Sequence, residues 1–182
     1  MRLECGQSIA LRPPATHDAA SIAKLANDRS VWINLRDAMP HPYSLQDAVG
    51  WIESTLEQDP IVTFAIECEG EAIGGIGLVP GTDIERRSAE LGYWLGTSYW
   101  GRGIASAAVT RICRYAFQEL RLVRVFATPM THNVASIRVL EKAGFGREGV
   151  MRACYVKDGL VRDAALYARI DDSHAQRPAG SG

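Results

Sequence analysis

Apolar positions change their period several times along the chain, and each change marks an element. Ser8 to Arg12 reads as a short strand stopped by Pro13-Pro14. After Thr16, read as an N-cap, Ala19, Ile22, Ala23, Leu25 and Ala26 form an apolar stripe at helical spacing to about Asp28. From Trp32 to Tyr43 no period holds, and Pro40 and Pro42 break the segment. Ser44 with Asp47 then makes a capping box for a second helix through Trp51, Ile52 and Leu56.

From Ile61 the period falls to two. Val62 to Cys68 predicts a strand, Glu69-Gly70 its turn, and Ala72 to Val79 its hairpin partner. Ser88 to Leu95 predicts a third strand, with Gly92 marking a bulge or a close backbone approach. Helical spacing returns over 102–120: Ala105, Val109, Ile112, Ala116 and Leu120 share one face, and Thr110, Arg111, Arg114, Gln118 and Arg121 the other. Val123 to Thr128 is a nearly continuous apolar strand, as a buried one should be. A helix from Asn133 to Ala143 closes at Gly144, and strands 147–156 and 160–170 flank the turn Lys157-Asp158-Gly159. The order β-α-α-β-β-β-α-β-α-β-β predicts an α/β fold, a mixed sheet with helices on both faces.

Composition narrows the functional classes. At 182 residues the chain is read as one domain over 1–172 with a small polar tail, 173–182, expected to be disordered. A formal net charge of -1 argues against a broad nucleic-acid surface. Cys5, Cys68, Cys113 and Cys154 are far apart, with no C-x-x-C pair and no histidine at metal-binding spacing, so no metal is expected. No apolar run reaches the roughly 18 residues of a membrane span, and the N-terminus lacks a signal core. A reducing, cytoplasmic setting is the expectation.

The chemistry concentrates in Tyr99-Trp100-Gly101-Arg102-Gly103-Ile104-Ala105-Ser106, a glycine turn running into the long helix. Unpaired N–H groups and the positive end of the helix dipole make such a start a site for phosphate or pyrophosphate. The glycines lack a Cβ that would hold a ligand off, although a loop can also use glycine merely to turn. A P-loop needs G-x-x-x-x-G-K-[ST], which is absent. A dinucleotide fold fails too: Ser106 stands at the third glycine, and 122–132 contains no acidic residue. Coenzyme A, which needs no ribose-binding acid, is left.

Three strings then carry a resemblance. They are Ala89-Glu90-Leu91-Gly92-Tyr93-Trp94-Leu95, Trp100-Gly101-Arg102-Gly103-Ile104-Ala105, and Asn133-Val134-Ala135-Ser136-Ile137-Arg138-Val139-Leu140-Glu141-Lys142-Ala143-Gly144-Phe145, joined by Asp158-Gly159-Leu160-Val161-Arg162-Asp163 and Tyr167. Over about residues 8 to 170 the chain resembles the GNAT acetyltransferase superfamily, in the subgroup with the ribosomal-protein N-terminal (Rim-type) acetyltransferases. It departs at Trp100, where the superfamily opens its loop with Gln or Arg.

The resemblance implies a largely antiparallel sheet with a central, splayed parallel pair holding acetyl-CoA. Arg102, Gly103, Ile104, Ala105 and Ser106 would bind the pyrophosphate, and the strand edge at Trp94 and Leu95 the pantetheine arm. Asn133 would cap its helix and touch the cofactor. Ser136 would hydrogen-bond the sulfur or serve only as a first-turn capping residue; Tyr155 is an alternative proton donor or a core aromatic. Glu90 is the candidate general base or the partner of an arginine, with His132 a weaker contender. Neither Cys113 nor Cys154 suggests an acyl-enzyme, so the amine would attack directly. An α-amine near pKa 8 asks less of a base than a lysine near 10.4. Trp32, Asn34, Arg36 and Tyr43 would line the acceptor mouth, or pack a loop on the sheet. The implied partners are acetyl-CoA and an amine, with no nucleic acid and no membrane; a homodimer is compatible. The rival class is a CoA-binding sensor without turnover.

Overall fold

Eight strands form one sheet in the order β1-β2-β3-β4-β5-β6-β8-β7 in the computed structural model, which describes residues 1–6, 8–171 and 173. They are β1 Leu3–Gly6, β2 Ile9–Arg12, β3 Thr63–Cys68, β4 Glu71–Pro80, β5 Ser88–Leu95, β6 Arg124–Ala127, β7 Gly146–Lys157 and β8 Leu160–Ile170. The helices are α1 Ala19–Ala26, α2 Arg29–Trp32, α3 Leu45–Glu53, α4 Ile104–Gln118 and α5 Val134–Lys142. Apart from Ser173, the tail expected to be disordered lies outside the described residues.

Every strand pair is antiparallel except β5 with β6. That parallel ladder covers only Ser88–Glu90 against Arg124–Phe126. Beyond it β5 continues to Leu95 while β6 ends at Ala127, so the sheet opens there. This is the splayed central pair that the resemblance implies.

Two cores hold the helices on opposite faces. Ile104, Val109, Ile112 and Tyr115 of α4 pack on Phe64, Ile66, Leu91 and Val125. Ile22 of α1 and Ile52 of α3 pack on Ala65 and Ala72. The strictly alternating β5 divides itself between the faces: Ala89, Leu91 and Leu95 join the α4 core, while Trp94 meets the α1–α3 core.

Several boundaries differ from the sequence reading, each for a local reason. β1 was not expected; with only Leu3 buried, it carries almost no apolar signal. Thr16 is not an N-cap. It opens a 3₁₀ turn after Ala15, whose amide donates to Asp18 at 2.8 Å. A short helix, α2, occupies the start of the segment expected to be irregular, because Asp28 accepts from the Ser30 amide at 2.7 Å. α4 starts two residues late, since Gly103 has φ +79° and sits outside helical space. Gly92 is no bulge, for β4 and β5 pair without a break from Gly74↔Leu95 to Pro80↔Ala89. The Ser44–Asp47 capping box, the Asn133 cap and left-handed Gly144 stand where the sequence places them.

Candidate active site

The opening between β5 and β6 leads into a cleft of about 1720 Å³ that runs from the start of α4, past α5, to the segment after α2. Its anion-binding end is built from main chain. Gly101 and Gly103 have φ of +76° and +79°, and a Cβ added to either would meet no atom within 4 Å. Trp100 anchors this turn, its indole N–H donating to the Leu95 carbonyl at 2.7 Å. The first amide beyond the turn to be satisfied is that of Ala107, bonded to the Gly103 carbonyl at 3.1 Å. Among the described residues the amides of Gly101 through Ser106 have no protein acceptor. A run of free N–H groups at the head of a fifteen-residue helix is an oxyanion cradle.

The β5 edge supplies the next part. The amide of Gly96 and the carbonyl of Ser88 both bond toward β4. Alternation therefore points the Trp94 amide at β4 and the amides of Tyr93 and Leu95 into the opening. Of the edge expected at Trp94 and Leu95, Leu95 therefore offers its amide to the opening, and Tyr93 takes the place of Trp94.

Tyr93, which the sequence reading passed over, spans the opening on the α4–α5 side. Its hydroxyl lies 2.7 Å from Ser136 Oγ and donates to the Ser136 carbonyl at 3.2 Å. Burial pushes the Tyr93 phenol up to about 12, so it stays protonated at neutral pH. Asn133 accepts from the Ser136 amide at 3.1 Å, fixing the first turn of α5 and leaving the Ser136 hydroxyl to Tyr93.

Opposite these, Glu90 heads a polar chain. Arg36 Nη2 donates to both its oxygens at 2.6 Å. Thr128 Oγ1 donates to Glu90 Oε1 at 3.1 Å and lies 2.6 Å from the Tyr155 hydroxyl. Burial first, and then the neighbouring Arg162 guanidinium, lower the pKa of His132 at the mouth of α5.

Of the candidate residues, Glu90, Trp94, Leu95, Gly103, Ile104, Ala105, Ser106, Asn133, Ser136, Tyr155, Asn34, Arg36 and Tyr43 line this one cleft. Two side chains do not. That of Arg102 is exposed and lies over the Tyr99 ring at 5.4 Å, outside the cleft lining, although its amide belongs to the free row. Trp32 packs between His41, at 5.5 Å, and the Lys157 ammonium, 3.7 Å from its centroid. Tyr43 is mostly core, buried between α1 and α3. Thr128, Lys157 and Arg162 also border the cleft and were not anticipated. Strand periodicity alone could have flagged Tyr93; Arg162 stands in the string 158–163 without a role of its own, and nothing local marked Thr128 or Lys157. No group of ligands that could hold a metal occurs among the described residues.

Comparison with known proteins agrees with this geometry. Residues 8–146 match the acetyltransferase (GNAT) domain family. The chain is 34% identical over 126 residues to YjcK of Bacillus subtilis (strain 168), named a probable N-acetyltransferase, covering 68% of this chain and 70% of that one. It is 27% identical over 158 residues to spermidine N(1)-acetyltransferase of Escherichia coli (strain K12), covering 86% and 83%. Among solved structures it is similar to Mycobacterium smegmatis RimJ in complex with a CoA disulfide: 28% identity, TM-score 0.81, 96% of this chain and 87% of that one. The chain belongs to the GNAT acetyltransferase family, whose members transfer an acetyl group from acetyl-CoA to an amine.

Proposed function

We propose that this protein acetylates a primary α-amine by direct attack on the thioester of acetyl-CoA, within the cleft between β5 and β6. The observation that carries the reading is the row of free amides from Gly101 to Ser106, continuous in one cleft with Glu90, Tyr155 and Ser136. Acetyl-CoA fits these residues: the amides suit a diphosphate, and the glycines leave the approach open. When bound, it supplies the activated acetyl group. The Tyr93 and Leu95 amides are aligned for an extended amide-containing arm, and one can donate to the thioester oxygen as charge develops there.

Glu90 accepts the proton of the attacking amine, directly or through the Thr128–Tyr155 hydroxyl pair. Ser136 Oγ, held by Tyr93, donates to the departing sulfur. Cys113 and Cys154 take no part as nucleophiles, because burial raises the Cys113 thiol to about 12 and Cys154 is tied to the Arg162 carbonyl. The segment carrying Asn34 and Arg36 receives the acceptor. Unpaired thiols at Cys5, Cys68, Cys113 and Cys154 support a cytoplasmic setting. No helix among the described residues is long and apolar enough to cross a membrane.

Thiol release measured with a panel of peptides and small amines tests the reading. Turnover that falls in Glu90→Gln and Ser136→Ala supports it. CoA binding without release for every amine would mean a sensor instead.

A further inference from the structure

Charge bookkeeping on the acceptor side of the cleft singles out Arg162. The carboxylates that border this side are already committed. Glu90 holds Arg36 at 2.6 Å, and Asp37 holds the Lys157 ammonium at 2.7 Å. Asp47 accepts from both the amide and the hydroxyl of Ser44, closing the α3 cap. Arg162 has no such partner. Its Nε is buried without any hydrogen bond, and no ion pair reaches its guanidinium among the described residues.

An arginine cannot shed its proton to escape that position, so the cleft keeps a permanent charge with unused donors. Asp163, its neighbour in sequence, gives its carboxylate to the Ala153 amide at 2.7 Å. Arg162 also stands directly opposite Tyr155 across the β7–β8 ladder, so both side chains project from the same face. The Arg162 side chain therefore leaves the sheet next to that of Tyr155, whose hydroxyl connects through Thr128 to Glu90. His132 feels the same charge, which helps to keep its ring neutral.

Resting on the transferase reading above, we infer that the acceptor is an amine carrying a carboxylate a few atoms away, which Arg162 grips in a two-pronged pair while the amine faces Glu90. Free acidic amino acids and peptides beginning with Asp or Glu share that chemistry. Polyamines do not, since they need unoccupied carboxylates and this side of the cleft offers none among the described residues. The fork of the guanidinium matches a carboxylate through its two terminal nitrogens, which, unlike Nε, are not sealed from the cleft.

The test compares kcat/KM for free glutamate, Glu- and Asp-initiated peptides, an Ala-initiated peptide, a Lys-initiated peptide and spermidine. Acidic acceptors should exceed the Lys-initiated peptide and spermidine by at least about tenfold, with the preference shrinking as salt rises. The free amino acid and the acidic peptides distinguish the two sources. In Arg162→Gln the acidic-to-neutral ratio should collapse toward unity, and in Arg162→Lys part of it should return. The wild-type ranking stands as a test of its own even if Arg162→Gln folds poorly.

Equal rates across the panel, or a preference for spermidine, would overturn the inference and leave the transferase reading intact. A loss of CoA affinity in Arg162→Gln with the acceptor ratio unchanged would also overturn it. CoA binding without transfer to any amine would remove both.

Discussion

Arg36, from the segment after α2, places one guanidinium nitrogen 2.6 Å from each oxygen of Glu90 on β5. The acceptor side thus holds the carboxylate proposed to take the proton. The arginine side chain is 70% exposed and the glutamate 23%, so the pair is screened and adds little stability. Its effect should be on function. Arg36→Gln should change the acceptor KM several-fold with melting temperature and CoA affinity unmoved. Glu90→Gln should lower kcat by about a hundredfold, the usual scale for losing a general base. Steady-state kinetics on both variants checks this.

The Tyr93–Ser136 pair predicts a different signature. Tyr93→Phe removes the hydroxyl that orients Ser136 and should lower kcat by less than Ser136→Ala does. Asn133→Ala removes the helix cap, which typically costs about 1 kcal/mol, and should lower the melting temperature as Ser136→Ala does not. The cap is made to the backbone amide of Ser136, so the alanine at that position preserves it.

The pH dependence of turnover follows from the acceptor. An α-amine with pKa about 8 is deprotonated increasingly up to that pH, so kcat/KM should rise about tenfold per unit below it and level off above. Continued rise toward about pH 10 would point to a lysine side chain.

Stability should depend on acid through Glu67, which sits between Arg2 and Arg12. The hydrogen bond from Arg2 leads in holding its pKa at about 2, below the ordinary 4.5, against the opposing effect of burial. A depressed carboxylate stabilises the fold above its unfolded value, and that contribution fades as pH falls from about 4.5 to about 2. Thermal melts should therefore show a shallower acid loss in Glu67→Gln over that window.

Lys157 connects the β7–β8 turn to the acceptor segment. Its side chain is 3% exposed, bonded to Asp37 and stacked on Trp32, while Arg29 pairs with Asp158 beside it. Lys157→Ala should release that segment, raising the acceptor KM and lowering the melting temperature with CoA binding retained. Titration calorimetry with CoA, alongside acceptor kinetics, separates these effects.

The elements that position this site were legible where the signal is local. Period-two and helical stripes locate the strands and helices around the cleft, and the glycine turn announces the start of α4. The Ser44–Asp47 box and the Asn133 cap could be read because capping needs only neighbours in sequence. What could not be read depends on distant contacts. For Trp32 the sequence leaves both a cleft and a packing role open, and only the stacking of Lys157, far along the chain, decides for packing. Arg162 and Thr128 acquire meaning only from the pairing of β6, β7 and β8. The one-residue displacement from Trp94 to Tyr93 follows from which side of β5 faces β4, a matter of register rather than composition.

Amide resonances followed during titration with CoA, and with pantetheine as the control lacking the diphosphate, reach the core of the account. CoA should move the signals of Gly101, Gly103, Ile104 and Ser106 strongly, and pantetheine should leave them nearly still. Unmoved amides there, with CoA perturbing another part of the chain, would contradict the account.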